Sequence, residues 1–217
     1  MNSAVVLAGG WAHPGRDLIA AMTELLGSHG FNVVAVTEPG NVLEAITASC
    51  DLLVNGACWF GMTEDRYSED QRVENAVKLD AVTAAALDQL RTNGVPLLAM
   101  HTAVICFDGW RPWRQWLGGT WDWNTSWHPE PADLTISPTV NASLAFDEFV
   151  VRDELYRDLI VDDDVHQIAQ SGGHPLIWLH ETSLGKCAVN LLGHDRRSLD
   201  VPAHRALNAR LLDWLVG

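Results

Sequence analysis

Two histidines in this 217-residue chain stand where titratable groups are able to meet. His101 ends the apolar run Val95-Pro96-Leu97-Leu98-Ala99-Met100, and His194 follows Leu191-Leu192-Gly193. A short, unbroken apolar run reads as a buried strand of a parallel sheet. Ligands collect beyond the carboxyl ends of such strands, so two imidazoles at two strand ends predict one shared cleft. Asp153-Glu154, with Tyr156 two residues on, adds a carboxylate that orients an imidazole or serves as a general base; the alternative is a surface charge patch with Tyr156 half buried. On this reading His101, His194 and Glu154 do acid–base work. A second chemistry stays open, in which His101, His128 and His194, with Glu154, hold a divalent metal such as zinc. No H-x-x-x-H or H-E-x-x-H spacing occurs, so those ligands would meet only in the fold.

The elements that must position these groups are legible in outline. Residues 4–8, 31–36 and 52–55 read as strands, with helical spacing at 18–26 and 41–47 between them. This alternation predicts a parallel sheet with right-handed crossovers. Gly9-Gly10 leaves the first strand without forming a G-x-G-x-x-G fingerprint, which argues against a dinucleotide site. His13, just beyond, either lines the strand-edge cleft or caps the next helix. Residues 56–72 form a long excursion at a strand end, where function or mobility is usual; its Trp59 and Phe60 wall a pocket or meet a second subunit. One long helix is expected over 73–90, stopped at Asn93-Gly94, and a short one from Pro112. Residues 134–138 and 146–151 read as antiparallel edge strands, 165–169, 176–180 and 187–192 as further strands, and 206–215 as a closing helix. With no repeat or linker, one domain over 1–217 is expected.

Composition narrows the partners. There are 28 acidic against 14 basic residues, a net charge of −14, which repels phosphate backbones and anionic surfaces. Nucleic acid and membrane are therefore not expected as partners. Four cysteines show no C-x-x-C spacing, and Cys50 and Cys187 read as small core residues. The start of the chain lacks the basic-then-apolar order of a signal peptide, so a cytoplasmic location is expected. Seven of the ten tryptophans fall between positions 59 and 127, and about half of the ten are expected to pack the core or a dimer interface. The surplus motivates a homodimer.

One ordered set of motifs carries a resemblance. Gly9-Gly10 with His13-Pro14, then Gly94, His101-Thr102-Ala103, Trp116-Leu117-Gly118-Gly119, His128, Asp153-Glu154-Leu155-Tyr156, Gly185-Lys186 and Gly193-His194 resemble the ThuA-like (trehalose utilisation) family over residues 4–216. The resemblance implies a three-layer α/β/α domain, mostly parallel, of the class I glutamine amidotransferase-like (flavodoxin-like) kind with antiparallel edge additions. It also implies a sugar, keto-sugar or disaccharide as substrate. Indole faces suit sugar rings, so His13, Trp59, Trp121, Trp123, His128, Asp153 and Tyr156 are the expected substrate contacts, with Asp108, Asp122, Asn124 and Ser126 for hydroxyls. The amidotransferases place a nucleophilic cysteine on a sharp strand-to-helix turn. Here the matching strand delivers His101, so a glutaminase lacks its thiolate. A non-catalytic sugar-binding or regulatory module is the remaining alternative.

Overall fold

The computed structural model describes residues 2–217. Strand and helix alternate through its first half: β1 (Asn2–Gly10), α1 (Arg16–Ser28), β2 (Phe31–Val36), α2 (Val42–Ala48), β3 (Leu52–Cys58), α3 (Glu69–Asn75), α4 (Ala81–Thr92) and β4 (Leu97–Met100). A helical turn, His101–Val104, and α5 (Arg111–Leu117) then lead to β5 (Gly119–Thr120), β6 (Ala132–Pro138), β7 (Phe149–Asp153), β8 (Ile160–Val161), β9 (His166–Ser171), β10 (His174–Thr182) and β11 (Gly185–Asn190). The chain closes with α6 (Arg196–Leu199) and α7 (Pro202–Val216).

Nine strands form one sheet in the order β2-β1-β3-β4-β11-β10-β9-β6-β7. The first five run parallel, and each later strand is antiparallel to its neighbour. β3 and β4 are buried throughout, and β1 between its end residues. Such complete burial requires cover on both faces, and explains why these strands read as continuous apolar runs rather than alternating ones. α1 and α2 pack on β1 and β2, while α7 packs on β4 and β11.

Two features place the site. The order β2-β1-β3-β4 reverses direction between its first and later strands, and the crevice at such a switch opens beyond the carboxyl ends. Sheet twist also brings the far edge back: β7, the ninth strand in order, touches α6 and α7. The end of β7 thereby reaches the loop after β11.

The single helix expected over 73–90 is two helices. Ala76 is extended (φ −67°, ψ 130°), Val77 N–H donates to the Phe60 carbonyl at 2.9 Å, and Asp80 caps α4 by accepting from Val82 and Thr83 N–H. Val73 and Val82, counted in the predicted apolar stripe, are exposed.

Candidate functional site

Each of three imidazoles sits on backbone that ordinary residues avoid. His101 itself has φ +44°, Ala12 before His13 has φ +58°, and Gly193 before His194 has φ +119°. A left-handed residue turns the chain sharply at a strand end and throws the next side chain across the edge. His101 thus sits on a sharp turn between β4 and the helical turn that follows it.

The turns converge. Ring centroids lie 5.1 Å apart for His13 and His101, 5.1 Å for His13 and His194, and 5.4 Å for His101 and His194. Glu154, delivered by the end of β7, lies among them: Oε2 is 3.5 Å from His101 Nε2, and Oε1 is 3.5 Å from His194 Nε2. His13 Nε2 stands 3.2 Å from His101 Nε2. Tyr156 hydroxyl is 3.3 Å from the same His101 nitrogen. Outer contacts hold the rings: His13 Nδ1–H donates to Trp11 carbonyl (2.8 Å), His101 Nδ1–H to Leu191 carbonyl (2.9 Å), and His194 Nδ1–H to Asp195 (3.2 Å). Glu154 and His101 are only 6% and 3% exposed.

The electrostatics follow from burial and crowding. Burial, with His101 alongside, pushes His13 down to about 4. Burial works most strongly against a charged His101, but the Glu154 carboxylate beside it, Asp153 and the Leu191 carbonyl together outweigh this and raise it. Burial would likewise raise Glu154; the surrounding imidazoles, His101 foremost, hold it below the ordinary glutamate value. Burial keeps the Tyr156 phenol neutral, with its proton affinity well above normal. Asp195 is held low, chiefly by its hydrogen bonds from Arg197.

Two hollows meet at the cluster. One, of about 390 Å³, is walled by Trp11, Phe60, Tyr67, Trp121, Trp123, Trp127, His128 and Tyr156, with His13, Glu154 and His194 at its base. The other, of about 530 Å³, opens between the start of α1 and the loop after β11 and reaches His13, His101 and His194. The ligand atoms of His13, His101, Glu154 and His194 all lie within 4.8 Å of one another, so these four could hold a metal.

The residues named from sequence divide accordingly. His101, His194, Glu154, His13 and Tyr156 are brought together, and Trp121, Trp123 and His128 line the aromatic hollow. The expected metal set of His101, His128 and His194 needs correction. His128 lies outside the four-residue cluster, half exposed with Nδ1 3.5 Å from Glu154 Oε1, and His13 takes its place. Nor does His13 cap α1, whose N-cap is Gly15. Trp59 is not a substrate contact: it is 1% exposed, packed against Phe107, and a Cβ on Gly10 would strike it. Asp153 is fully buried and accepts from the N–H groups of Glu154 (2.8 Å) and Gly193 (2.7 Å), so it positions rather than binds. The hydroxyl-binding polar groups are also spent elsewhere: Asp122 accepts from Asn124 and Thr125, Ser126 donates to Asp158 carbonyl, and Asp108 accepts from Gly61 N–H. Trp11, Arg66 and Tyr67 also line the aromatic hollow, and no motif in the sequence points to them. Arg66 lies 4.9 Å over Tyr67 and 5.3 Å over Trp123; only their aromatic or cationic type hinted at a role. Cys58 and Cys106 are buried, and burial pushes both thiols up, Cys106 to about 12. Neither is a ready thiolate.

A family model described as ThuA, trehalose utilisation, matches residues 3–215. The chain belongs to the ThuA family. No curated protein matches it in sequence. Among solved structures, a ThuA-like protein from Parabacteroides merdae ATCC 43184 shares 12% identity at a TM-score of 0.74, over 99% of this chain and 89% of that one. A protein from Salmonella typhimurium LT2 described as cytoplasmic shares 12% identity at a TM-score of 0.67, over 98% and 99%. The ThuA fold also matches part of a β-galactosidase from Rahnella sp. R3: 11% identity, TM-score 0.59, 99% of this chain and 31% of that one. At these identities the likeness is one of fold. Among the described residues, no helix of this ThuA protein is long and apolar enough to cross a membrane.

Proposed function

We propose that this ThuA protein is an enzyme that transforms a sugar, keto-sugar or disaccharide, with its chemistry centred on Glu154 and the imidazoles around it. The observation that carries the reading is the convergence of four ionisable groups from four separate strand ends at the base of a tryptophan-walled hollow. Flat aromatic faces with a few polar groups beneath are what a sugar ring requires, and the family's description as trehalose utilisation agrees. A cytoplasmic location is part of this reading, supported by the description of the Salmonella protein. The tryptophan surplus that motivated a homodimer is largely absorbed within the chain. Five tryptophans are buried, and Trp11, Trp123 and Trp127 wall the hollow. The mass in light scattering decides that question.

The decisive experiment offers the purified chain trehalose, other disaccharides and their keto derivatives, and follows products by mass spectrometry. Turnover is expected, and Glu154→Gln or His194→Ala should lower it by about 10²-fold or more. Equal turnover in both variants would remove the cluster from the reaction. Quenching of tryptophan fluorescence by sugars, without turnover across the panel, would leave a binding module instead.

A further inference from the structure

Taking its biological purpose, though not its test, from the carbohydrate reading, we infer that His13, His101, His194 and Glu154 are the ligands of a single divalent transition-metal ion, of which zinc best suits the donors. Proton bookkeeping makes the case. The Nδ1 partners of the three rings are two backbone carbonyls and a carboxylate. All are acceptors without a proton, so each Nδ1 carries the hydrogen and each neutral ring turns a bare Nε2 lone pair inward. Histidines that bind metals are held by this kind of outer hydrogen bond.

Inside that shell the one donor within reach is the Tyr156 hydroxyl, 3.3 Å from His101 Nε2, and it leaves the other lone pairs unmet. His13 Nε2 and His101 Nε2 face each other at 3.2 Å. Glu154 Oε2 is buried and has no hydrogen-bond partner. Buried acceptors pointed at acceptors are costly. One added proton bridges only the His13–His101 pair, and still leaves the carboxylate at 3.5 Å from its neighbours. One cation satisfies all four at once. A tetrahedral ion with bonds of about 2.0–2.1 Å spaces its donors about 3.3 Å apart; His13 and His101 Nε2 are 3.2 Å apart, Glu154 reaches His101 Nε2 with Oε2 and His194 Nε2 with Oε1 at 3.5 Å each, and all four ligand atoms fall within 4.8 Å. Three imidazole nitrogens and one carboxylate suit zinc and its neighbours, whereas calcium and magnesium want oxygen ligands. His128 stands outside, its Nδ1 3.1 Å from the Pro129 carbonyl. With four groups taken as ligands, proton handling falls to Tyr156 and His128, which border the same hollow.

The test needs no substrate. The untagged full chain, stripped with a chelator, is titrated with Zn²⁺ by calorimetry and with Co²⁺ by visible absorption. One equivalent per chain is expected, with a cobalt ligand-field band. His13→Ala and the near-isosteric Glu154→Gln should weaken uptake by more than the roughly 10–100-fold that loss of an outer-shell partner costs. His128→Ala should still take up one equivalent, and circular dichroism shows that each variant is folded. Absence of stoichiometric uptake, or equal affinity in wild type, His13→Ala and Glu154→Gln, overturns the assignment. Uptake without turnover of any carbohydrate would sustain the metal centre and sink the enzymatic reading; turnover by demonstrably metal-free protein would do the reverse.

Discussion

Asp153 makes no contact with the hollow, yet two of the groups at its base depend on it. Its two oxygens accept the N–H groups of Glu154 and of Gly193, the residue before His194. One carboxylate therefore fastens the end of β7 to the loop after β11. In Asp153→Asn one acceptor becomes an NH₂ facing another N–H. The expected cost is about 1–3 kcal/mol, and each kcal/mol lowers Tm by about 2–4 °C in a chain of this size. An unchanged melting temperature would show that the carboxylate is dispensable. Tyr156 offers the contrasting case. Its ring packs 5.3 Å from Trp121 and 5.4 Å from His128, and Tyr156→Phe keeps those contacts while deleting only the hydroxyl beside His101. Stability should hold within about 1.5 kcal/mol, while turnover of the carbohydrate falls by about 10²-fold. Parallel losses of both would mean that the hydroxyl serves the fold alone.

At the level of elements, strand ends and turns set the precision of the site. Gly193 adopts φ +119°, and a Cβ there would sit 3.3 Å from Leu199 and 3.4 Å from Met100. Gly193→Ala should cost about 1–3 kcal/mol through backbone strain and shift His194. Thermal denaturation reads the first effect, and loss of turnover without loss of helical circular dichroism reads the second. These elements also mark how far the sequence could be read. The runs ending at Met100 and Leu192 announce buried strands because both faces are covered, and their terminal histidines could be placed at one edge from that pattern alone. The partnership of Asp153 with Gly193 leaves no such trace, because it depends on the antiparallel half of the sheet curling back, and strand periodicity is blind to curl. His13 is ambiguous in the sequence for a related reason: a residue three places past a strand is aimed by the φ of Ala12, which carries no signature in side-chain type. Trp59 reads as a pocket wall because an indole beside a pocket and an indole beneath it look alike in sequence; the packing of Gly10 against it tells them apart.

Across the whole molecule, a second polar network ties the last helices to the sheet beneath the site. His204 on α7 is fully buried; Asn190 on β11 donates to its Nε2 at 2.9 Å, its Nδ1–H donates to Ser198 carbonyl of α6 at 3.0 Å, and Phe149 of β7 stacks on its ring. Burial lowers its proton affinity, against smaller raising effects from the Ser198 carbonyl and from Asp153. Above about pH 6.5, the ordinary histidine value, folded and unfolded chains are both neutral here and the contribution is complete. As pH falls below that value the unfolded chain binds the proton first, so stability is lost progressively until the folded residue titrates as well. His13, held down to about 4, adds a loss of the same sign, and His101, whose proton affinity is raised, adds a gain that opposes it. Asp80 and Asp122, lowered by their hydrogen bonds, add theirs only below about pH 4. Urea unfolding of wild type at pH 7.5 and 5.5 should therefore carry a loss from His204 at the lower pH. His204→Asn should be weaker at both, through lost packing, but without that loss. Ionic strength must be held constant, because 28 acids against 14 bases repel one another and salt screens that repulsion. If the pH 7.5-to-5.5 difference is the same in variant and wild type, His204 titrates alike in folded and unfolded chains, and the helices are held to the sheet by packing rather than by a buried neutral imidazole.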